Sequence, residues 1–496
     1  MTSVLVGQSY YLRFDPKLWR TMQPYPPLGS LYAAGELRQR GHDVHVFDAM
    51  LAESEQQWAD SLDRHRPDIA VVFEDNFNYL SKMCLLRMRT AACTMLAMAK
   101  ARGCTTIVCG SDASDHLELY LAEGADYAGF GEGETTVGEL VDHLASAESA
   151  SQPDGEGRSN RSIRLIDQVR GLAFRDQHGT VVTTARRANR KDLDALARPA
   201  WDLIDIEPYR AAWKAHGRFS MNVVSTRGCP FQCNWCAKPI WGQRYNSHSP
   251  EHVVAELEHL RSIYRPDHIS FVDDIFGLKP GWLRAYADLV VGRDLVVPFK
   301  CLSRADLLLR PGEVDALRDA GCEMVWMGAE SGSQAVLDAM DKGITVEQIH
   351  EATCRLRAAG IRVGFFLQFG YPGEGTTDID ATRRLVRQCR PDDIGISVSY
   401  PLPGTEFHAR VRSDLGPQHN WIDSEDLAML YRGPFSTEYY RQLHTVVHKE
   451  FRLRGSAGPA PRRRRPLARL ARARDALTLP HDERTLRRMA RREQAS

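Results

Sequence analysis

The 496-residue chain predicts an α/β architecture: a doubly wound, Rossmann-like N-terminal domain, a partial (β/α)6 barrel and a helical C-terminal extension. Three observations carry this reading. Short apolar runs alternate with amphipathic stretches from residue 1 to about 145. The same rhythm resumes at residue 220 and gives six strand–helix units over about 180 residues, as in a parallel barrel. Strand patterns then stop beyond residue 415. The chain is too long for one ordinary core, and the expected boundaries are 1–145, 146–217, 218–412 and 413–496.

In the first region SVLVG (3–7), DVHVFD (43–48), DIAVVF (68–73), TTIVCG (105–110) and ADYAGF (125–130) read as buried parallel strands. LGSLYAAGELRQRG and LLRMRTAACTMLAMAKARG read as helices, each closed by a glycine. A doubly wound sheet places its ligand crevice beyond the C-terminal strand ends. The loops there are QSYYLRFDPKLWRTMQPYPPLG, FEDNFNY, GSDASDH and GFGEGE; the first is long, aromatic and proline-rich, as functional loops often are. ASAESASQPDGEGRS (146–160) reads as a linker or loop tip. RLIDQVRGLAFRDQHGTVVTTAR reads as a hairpin turning at His178–Gly179, and 187–217 as a mixed connector.

In the barrel region the strands are MNVVSTRG (221–228), HISFVDD (268–274), PFKCLSR (298–304), EMVWMGAE (323–330), RVGFFLQFG (362–370) and IGISVSYPLPG (394–404). SPEHVVAELEHLRSIY is a helix with Ser249 as its N-cap and Glu251 and Glu256 early in it. The C-terminal RRRRPLARLARARDAL and RTLRRMARRE read as a solvated, disordered basic tail or as a contact for an anionic surface or partner.

Lys+Arg and Asp+Glu both number 64, so the chain lacks the positive excess of a nucleic-acid binder. MTSVLVGQSYYLRF is not a signal peptide, and no apolar run is long enough to span a membrane. A cytoplasmic setting with reduced thiols follows. Of eleven cysteines, eight (Cys84, Cys93, Cys104, Cys109, Cys301, Cys322, Cys354 and Cys389) are scattered and read as packed hydrophobes.

The other three fall in RGCPFQCNWCAKP (227–239), as Cys229, Cys233 and Cys236. Three soft thiolates on one loop select zinc, copper(I) or an iron–sulfur cluster. A 4Fe-4S cluster held by three cysteines leaves one iron open, where the amino and carboxylate groups of S-adenosylmethionine can bind. A zinc site completed by a distant ligand such as His248 is the alternative. The loop follows the first barrel strand, at the face where barrel active sites are built.

This spacing, with the aromatic Trp235 before the last cysteine, resembles the signature of the radical S-adenosylmethionine superfamily. SFVDDIFGLKPGW, KCLSRADLL, GAESGSQAVLDAMDKG, VGFFLQFGYPGEG and SYPLPGTEF resemble the later strands and loops of its partial barrel. The resemblance implies that Trp235, Ser303, Arg304, Glu330 and Ser331 contact S-adenosylmethionine, with Glu330 and Ser331 near its ribose. Asp273 and Asp274 end a barrel strand and are expected to face the site or to form structural salt bridges. PPLGSLYAAGELRQRGHDVHVFDA and GADYAGFGEGE resemble the cobalamin-binding domain of one large subclass, and the likeness covers residues 1 to about 410. It implies Pro27, Leu28 and Gly29 near the corrin, and Gly110, Ser111, Gly131, Glu132 and Gly133 near the nucleotide tail. No Asp-x-His-x-x-Gly motif is present; DRHRPD (63–68) is the nearest approach, so no histidine below cobalt is expected.

The subclass implies C-methylation of an unactivated carbon on a small molecule, a secondary metabolite or lipid-like compound. A 5′-deoxyadenosyl radical abstracts hydrogen, methylcobalamin supplies the methyl group, and a flavodoxin- or ferredoxin-type donor supplies electrons. Oxidative cyclisation or ring rearrangement on the same cofactors is the alternative, and a zinc-stabilised nucleic-acid-binding module is a third reading. A methylthiotransferase would need further N-terminal cysteines, and none precedes Cys84.

Overall fold

The computed structural model describes residues 2–78, 85–149, 166–237, 240–454 and 465–494. Cys84, the end of the FEDNFNY loop at Tyr79 and most of the 146–160 segment lie outside them. The chain forms two compact units: Met1–Pro230, Lys238–Asp273 and Asn420–Asp426 make one; Phe231–Ala237, Asp274–His419 and Leu427–Ser496 make the other.

The N-terminal sheet has seven strands: β1 (Ser3–Gly7), β2 (Asp43–Phe47), β3 (Ile69–Phe73), β4 (Thr105–Cys109), β5 (Tyr127–Gly129), β6 (Leu172–Arg175) and β7 (Val181–Thr183). Their order is β2-β1-β3-β4-β5-β6-β7. The first five pair in parallel, while β6 joins β5, and β7 joins β6, antiparallel. The expected hairpin is therefore the outer edge of this sheet. Strand alternation fills both faces. Leu5, Ala70, Val72 and Val108 pack with Trp58 and Leu62 and with Ala91–Ala99 of helix Leu86–Lys100. Val4, Val6, Ile69, Val71 and Ile107 pack with Ala33 and Leu37 of helix Leu28–Gln39 and with Val137 and Leu140 of helix Glu134–Ser149. Each fully buried aliphatic side chain is worth roughly 1.5–3 kcal/mol. The last helix runs through Ser149, past the expected start of the linker at 146.

The later strands are β8 (Ser220–Val223), β9 (Thr226–Arg227), β10 (Asn246–Ser247), β11 (His268–Phe271), β12 (Phe299–Ser303), β13 (Cys322–Glu330), β14 (Arg362–Phe369) and β15 (Asp393–Val398). Six form the half-barrel sheet in the order β15-β14-β13-β12-β11-β8, and β9 pairs antiparallel with β10. The first expected barrel strand, 221–228, is thus two strands. It breaks at Val224–Ser225, where Asp273 binds the backbone. Ser249 caps helix Pro250–Ile263 as expected, accepting from His252 N at 3.1 Å.

The basic tail departs from expectation. Arg465–Gln494 is a helix rather than a disordered segment. Its acidic minority anchors it to the preceding helix, Thr437–Arg454: Asp475 accepts from Arg452 Nε at 2.7 Å, and Asp482 pairs with Lys449. Ala, Leu and Arg are strong helix formers, so these few ion pairs suffice. No helix among the described residues is long and apolar enough to cross a membrane.

Candidate active site around the three-cysteine loop

In the first unit, the segment leading into the loop is fixed by buried carboxylates. Asp273 accepts from Ser225 N (2.8 Å), Ser225 Oγ (3.0 Å), Thr226 N (2.5 Å) and Thr226 Oγ1 (2.7 Å). Burial pushes its carboxyl up to about 7, against the pull of these donors. Asp273 is therefore a backbone clamp, and its hydrogen bonds go to the strand break and not to a ligand. Arg227 is 2% exposed and donates to Glu132 Oε1 at 2.6 Å and Glu134 Oε1 at 2.7 Å. Burial opposes this charge, but Glu134 and Glu132 outweigh it and raise the guanidinium pKa. Glu132, expected beside a nucleotide tail, is instead engaged by Arg227 and by Arg190 N at 2.6 Å. Gly228 follows with φ +83°, and a Cβ there would lie 2.2 Å from the Arg244 carbonyl oxygen. Only glycine fits that approach.

In the second unit, Asn234, between Cys233 and Trp235, is held throughout. Its N donates to Met340 O (3.1 Å), and Nδ2 donates to Ala339 O (2.8 Å) and Asp341 Oδ2 (2.7 Å). Oδ1 accepts from Tyr371 Oη (2.8 Å), and the carbonyl accepts from Phe407 N (3.0 Å). Trp235 packs against the cluster of Val336, Met340, Tyr371 and Phe407. Arg304 lies with its guanidinium 3.6 Å over the Phe231 ring, Nη1 4.0 Å from Cys233 Sγ and Nη2 donating to Lys342 O at 2.8 Å. Lys342 Nζ donates to Glu330 Oε1 at 2.7 Å, both side chains being buried. Burial lowers the ammonium pKa, but Glu330 and the Cys233 sulfur outweigh it, so it stays raised.

Glu330 has φ +56° at the end of β13, beside a register shift between Gly328 and Glu330. A non-glycine residue in that region stores strain of order 1–3 kcal/mol, and such residues cluster at functional sites. Ser331, fully buried, meets Thr382 Oγ1 at 3.1 Å and accepts from Ser333 N at 3.1 Å. Its hydroxyl is thus occupied within the protein. Ser303 ends β12, half-buried, and Asp274 is likewise half-buried. Sequence reasoning named Arg304 and Glu330 but missed Arg227, Asn234 and Lys342. The GEGE acid pair opposite an arginine before the first cysteine was the available signal for Arg227.

The donor set fits an iron–sulfur cluster. Cys229, Cys233 and Cys236 are half-buried, whereas Cys104, Cys109, Cys301, Cys322 and Cys389 are buried. Arg304 and Lys342 make the surroundings of Cys233 electropositive, which favours thiolates. His248, the zinc alternative's further ligand, has Nδ1 3.1 Å from Asp194 Oδ1 and stacks on His252.

At the C-terminal ends of β1, β3 and β4 the first unit gathers buried polar groups. Gln8, Ser9, Glu74, Asp75, Asn76, Ser111 and Asp112 are each under 7% exposed. Strand order reverses between β1 and β3, the place where open α/β sheets bind ligands. Gly29 N donates to Asp75 Oδ1 at 3.0 Å, setting Pro27–Leu28–Gly29 at this crevice. Ser111 Oγ lies 3.3 Å from Asn76 Oδ1, and Gly131 N donates to Ser114 Oγ at 3.2 Å. Gly110 and Gly133 admit close neighbours: a Cβ would meet Glu74 Cβ at 2.6 Å and Cys109 Sγ at 2.1 Å. Gln8 Nε2 is buried without a hydrogen-bond partner among the described residues. Such an orphaned donor in a polar crevice is what a polar ligand would satisfy.

Residues 223–386 match the radical SAM superfamily. An uncharacterized methyltransferase of Pyrococcus horikoshii is 26% identical over 438 residues, covering 84% of this chain and 88% of the relative. The hopanoid C-3 methylase of Methylococcus capsulatus is 27% identical over 429 residues, covering 84% and 75%. The solved structure of the cobalamin-dependent S-adenosylmethionine radical enzyme OxsB, with aqua-cobalamin and S-adenosylmethionine bound, superposes with TM-score 0.71 at 15% identity. It covers 97% of this chain and 72% of that one. With its matched domain carrying all three cysteines, the protein is a radical SAM enzyme on the fold of the cobalamin-dependent subclass.

Proposed function

We propose that the protein is a cobalamin-dependent radical S-adenosylmethionine C-methyltransferase acting on an unactivated carbon of a small molecule. The observation that carries this is the half-buried trio Cys229, Cys233 and Cys236 on the loop after the first barrel strands, in a chain whose N-terminal sheet has a polar crevice at its β1/β3 reversal. Two methyltransferase relatives spanning 84% of the chain support the reaction class. When bound, the 4Fe-4S cluster, S-adenosylmethionine and cobalamin supply reductive sulfonium cleavage, hydrogen abstraction and the methyl donor.

The protein's own share is position and charge. The three thiolates would hold the cluster, and Arg304 and Lys342 would offset its negative charge. Ser303 and the carboxylate of Glu330, fixed by Lys342, would orient S-adenosylmethionine. Asn234 and Asp273 would set the loop's path. Pro27, Leu28 and Gly29 would approach the corrin. Gly110, Ser111, Gly131 and Gly133 would line the nucleotide tail. Electrons would come from an external flavodoxin- or ferredoxin-type donor.

A single-turnover assay with methyl-labelled S-adenosylmethionine tests the reading. Both 5′-deoxyadenosine and a product one methylene unit heavier, carrying the label on carbon, are expected. A product that has lost hydrogens and gained no label would replace methylation with cyclisation.

A further inference from the structure

We infer that the open face of β12–β15 is a platform for a flat, conjugated, apolar ring system, which lies on Phe366 and extends its stack with Trp326. The inference rests on the radical SAM reading of the neighbouring site and names the substrate class for it.

Alternation divides these strands into two faces. Val325, Met327, Val363, Phe365 and Leu367 are at most 1% exposed and form the covered side. The opposite parity carries Trp326, Gly328, Gly364, Phe366 and Gly395. Phe366 is 38% exposed between neighbours at 0% and 1%, so the sheet holds an aromatic face to solvent in the middle of a strand. The Trp326 and Phe366 rings stack at 4.7 Å with 25° between planes.

Two glycines make that arrangement possible. A Cβ on Gly364 would lie 2.5 Å from the Trp326 ring, and one on Gly395 would lie 3.1 Å from Phe366 Cδ1. Both rings can therefore lie down against the sheet, and no methyl group projects beside them. Stacked aromatic pairs continue most favourably with another offset ring face. A puckered saturated ring presents axial hydrogens and loses that contact.

The platform is continuous with the proposed reaction site. Phe366 is the register partner of Gly328. A Cβ on Gly328 would lie 2.6 Å from Lys342 Nζ and 2.7 Å from Glu330 Oε1. A ring on Phe366 thus sits one strand from the ion pair proposed to orient S-adenosylmethionine. Gly328 leaves the way between them clear.

Titration calorimetry on the anaerobically reconstituted full-length enzyme, with 2-naphthol and decahydro-2-naphthol as matched flat and puckered probes, tests this. The flat probe should bind about fivefold tighter, and Phe366→Leu should erase that preference while changing affinity for the saturated probe by less than about twofold. Gly395→Ala, which crowds the ring with one methyl group, should weaken 2-naphthol in the same direction. It serves as the independent variant if Phe366→Leu fails to fold. Equal affinities, no binding of 2-naphthol, or a preference that survives in the variants overturns the platform. Failure of the underlying reading shows separately, as wild-type enzyme that yields no 5′-deoxyadenosine from S-adenosylmethionine whatever the probes do.

Discussion

The cysteine loop is anchored in two different ways. Ahead of Cys229 the anchors are ionic: Arg227 between Glu132 and Glu134. Between Cys233 and Cys236 the anchor is an amide, Asn234, which uses its backbone and both side-chain ends. The contrast teaches how each would fail. Removing one member of a buried ion pair strands its partners' charge in a poor solvent, so the loss is abrupt. Removing an amide forfeits hydrogen bonds one by one, so the loss is graded. The ionic anchor fastens the loop to the GEGE turn of the N-terminal sheet. The amide anchor fastens it to the 339–341 turn and Tyr371.

Arg227→Met breaks the ionic anchor and has the largest expected effect, about 3–5 kcal/mol of stability. Urea unfolding of the anaerobic protein measures it, and a loss under about 1 kcal/mol would abolish the distinction between the anchors. Asn234→Ala should cost about 1–3 kcal/mol, while iron per chain and absorbance near 400 nm fall further than stability does. Full iron loading in that variant would show that the amide positions nothing. The smallest effect sharpens the comparison with a carboxyl held by a backbone amide. Glu374 accepts from Gly370 N at 2.6 Å, and burial pushes it from 4.5 up to about 8. The folded protein therefore keeps a proton that the unfolded chain releases. The stability this brings is whole below pH 4.5 and is lost as pH rises through about 8. Melting temperatures over that window should decline in the wild type and decline less in Glu374→Gln. Parallel profiles would remove Glu374 from the account.

Much of the molecule was legible from local pattern. Short apolar runs located the strands of the seven- and six-stranded sheets, though not β10, and Gly41 and Gly103, with φ of +86° and +82°, close the two helices that they were expected to close. The cysteine spacing located the loop. What escaped was long-range polar pairing. Arg227 and Glu132 are 95 residues apart, and Asn234 and Tyr371 are 137 apart. No periodicity encodes such partners, because each depends on tertiary placement of single side chains. Asp273 was read as ending a barrel strand, but β11 stops at Phe271, and the four donors to Asp273 belong to Ser225 and Thr226. The tail was misjudged because its arginines outweighed its few acids in composition, and those acids are the ones that dock it.

The β6–β7 hairpin has a wider consequence. An open sheet ends in unpaired amides and carbonyls, which can recruit strands from other molecules. Here the rim on that side is β7, three residues long and antiparallel to its neighbour. A rim so short offers little template for fibril growth, so this border should stay quiet when the protein is concentrated or made in excess.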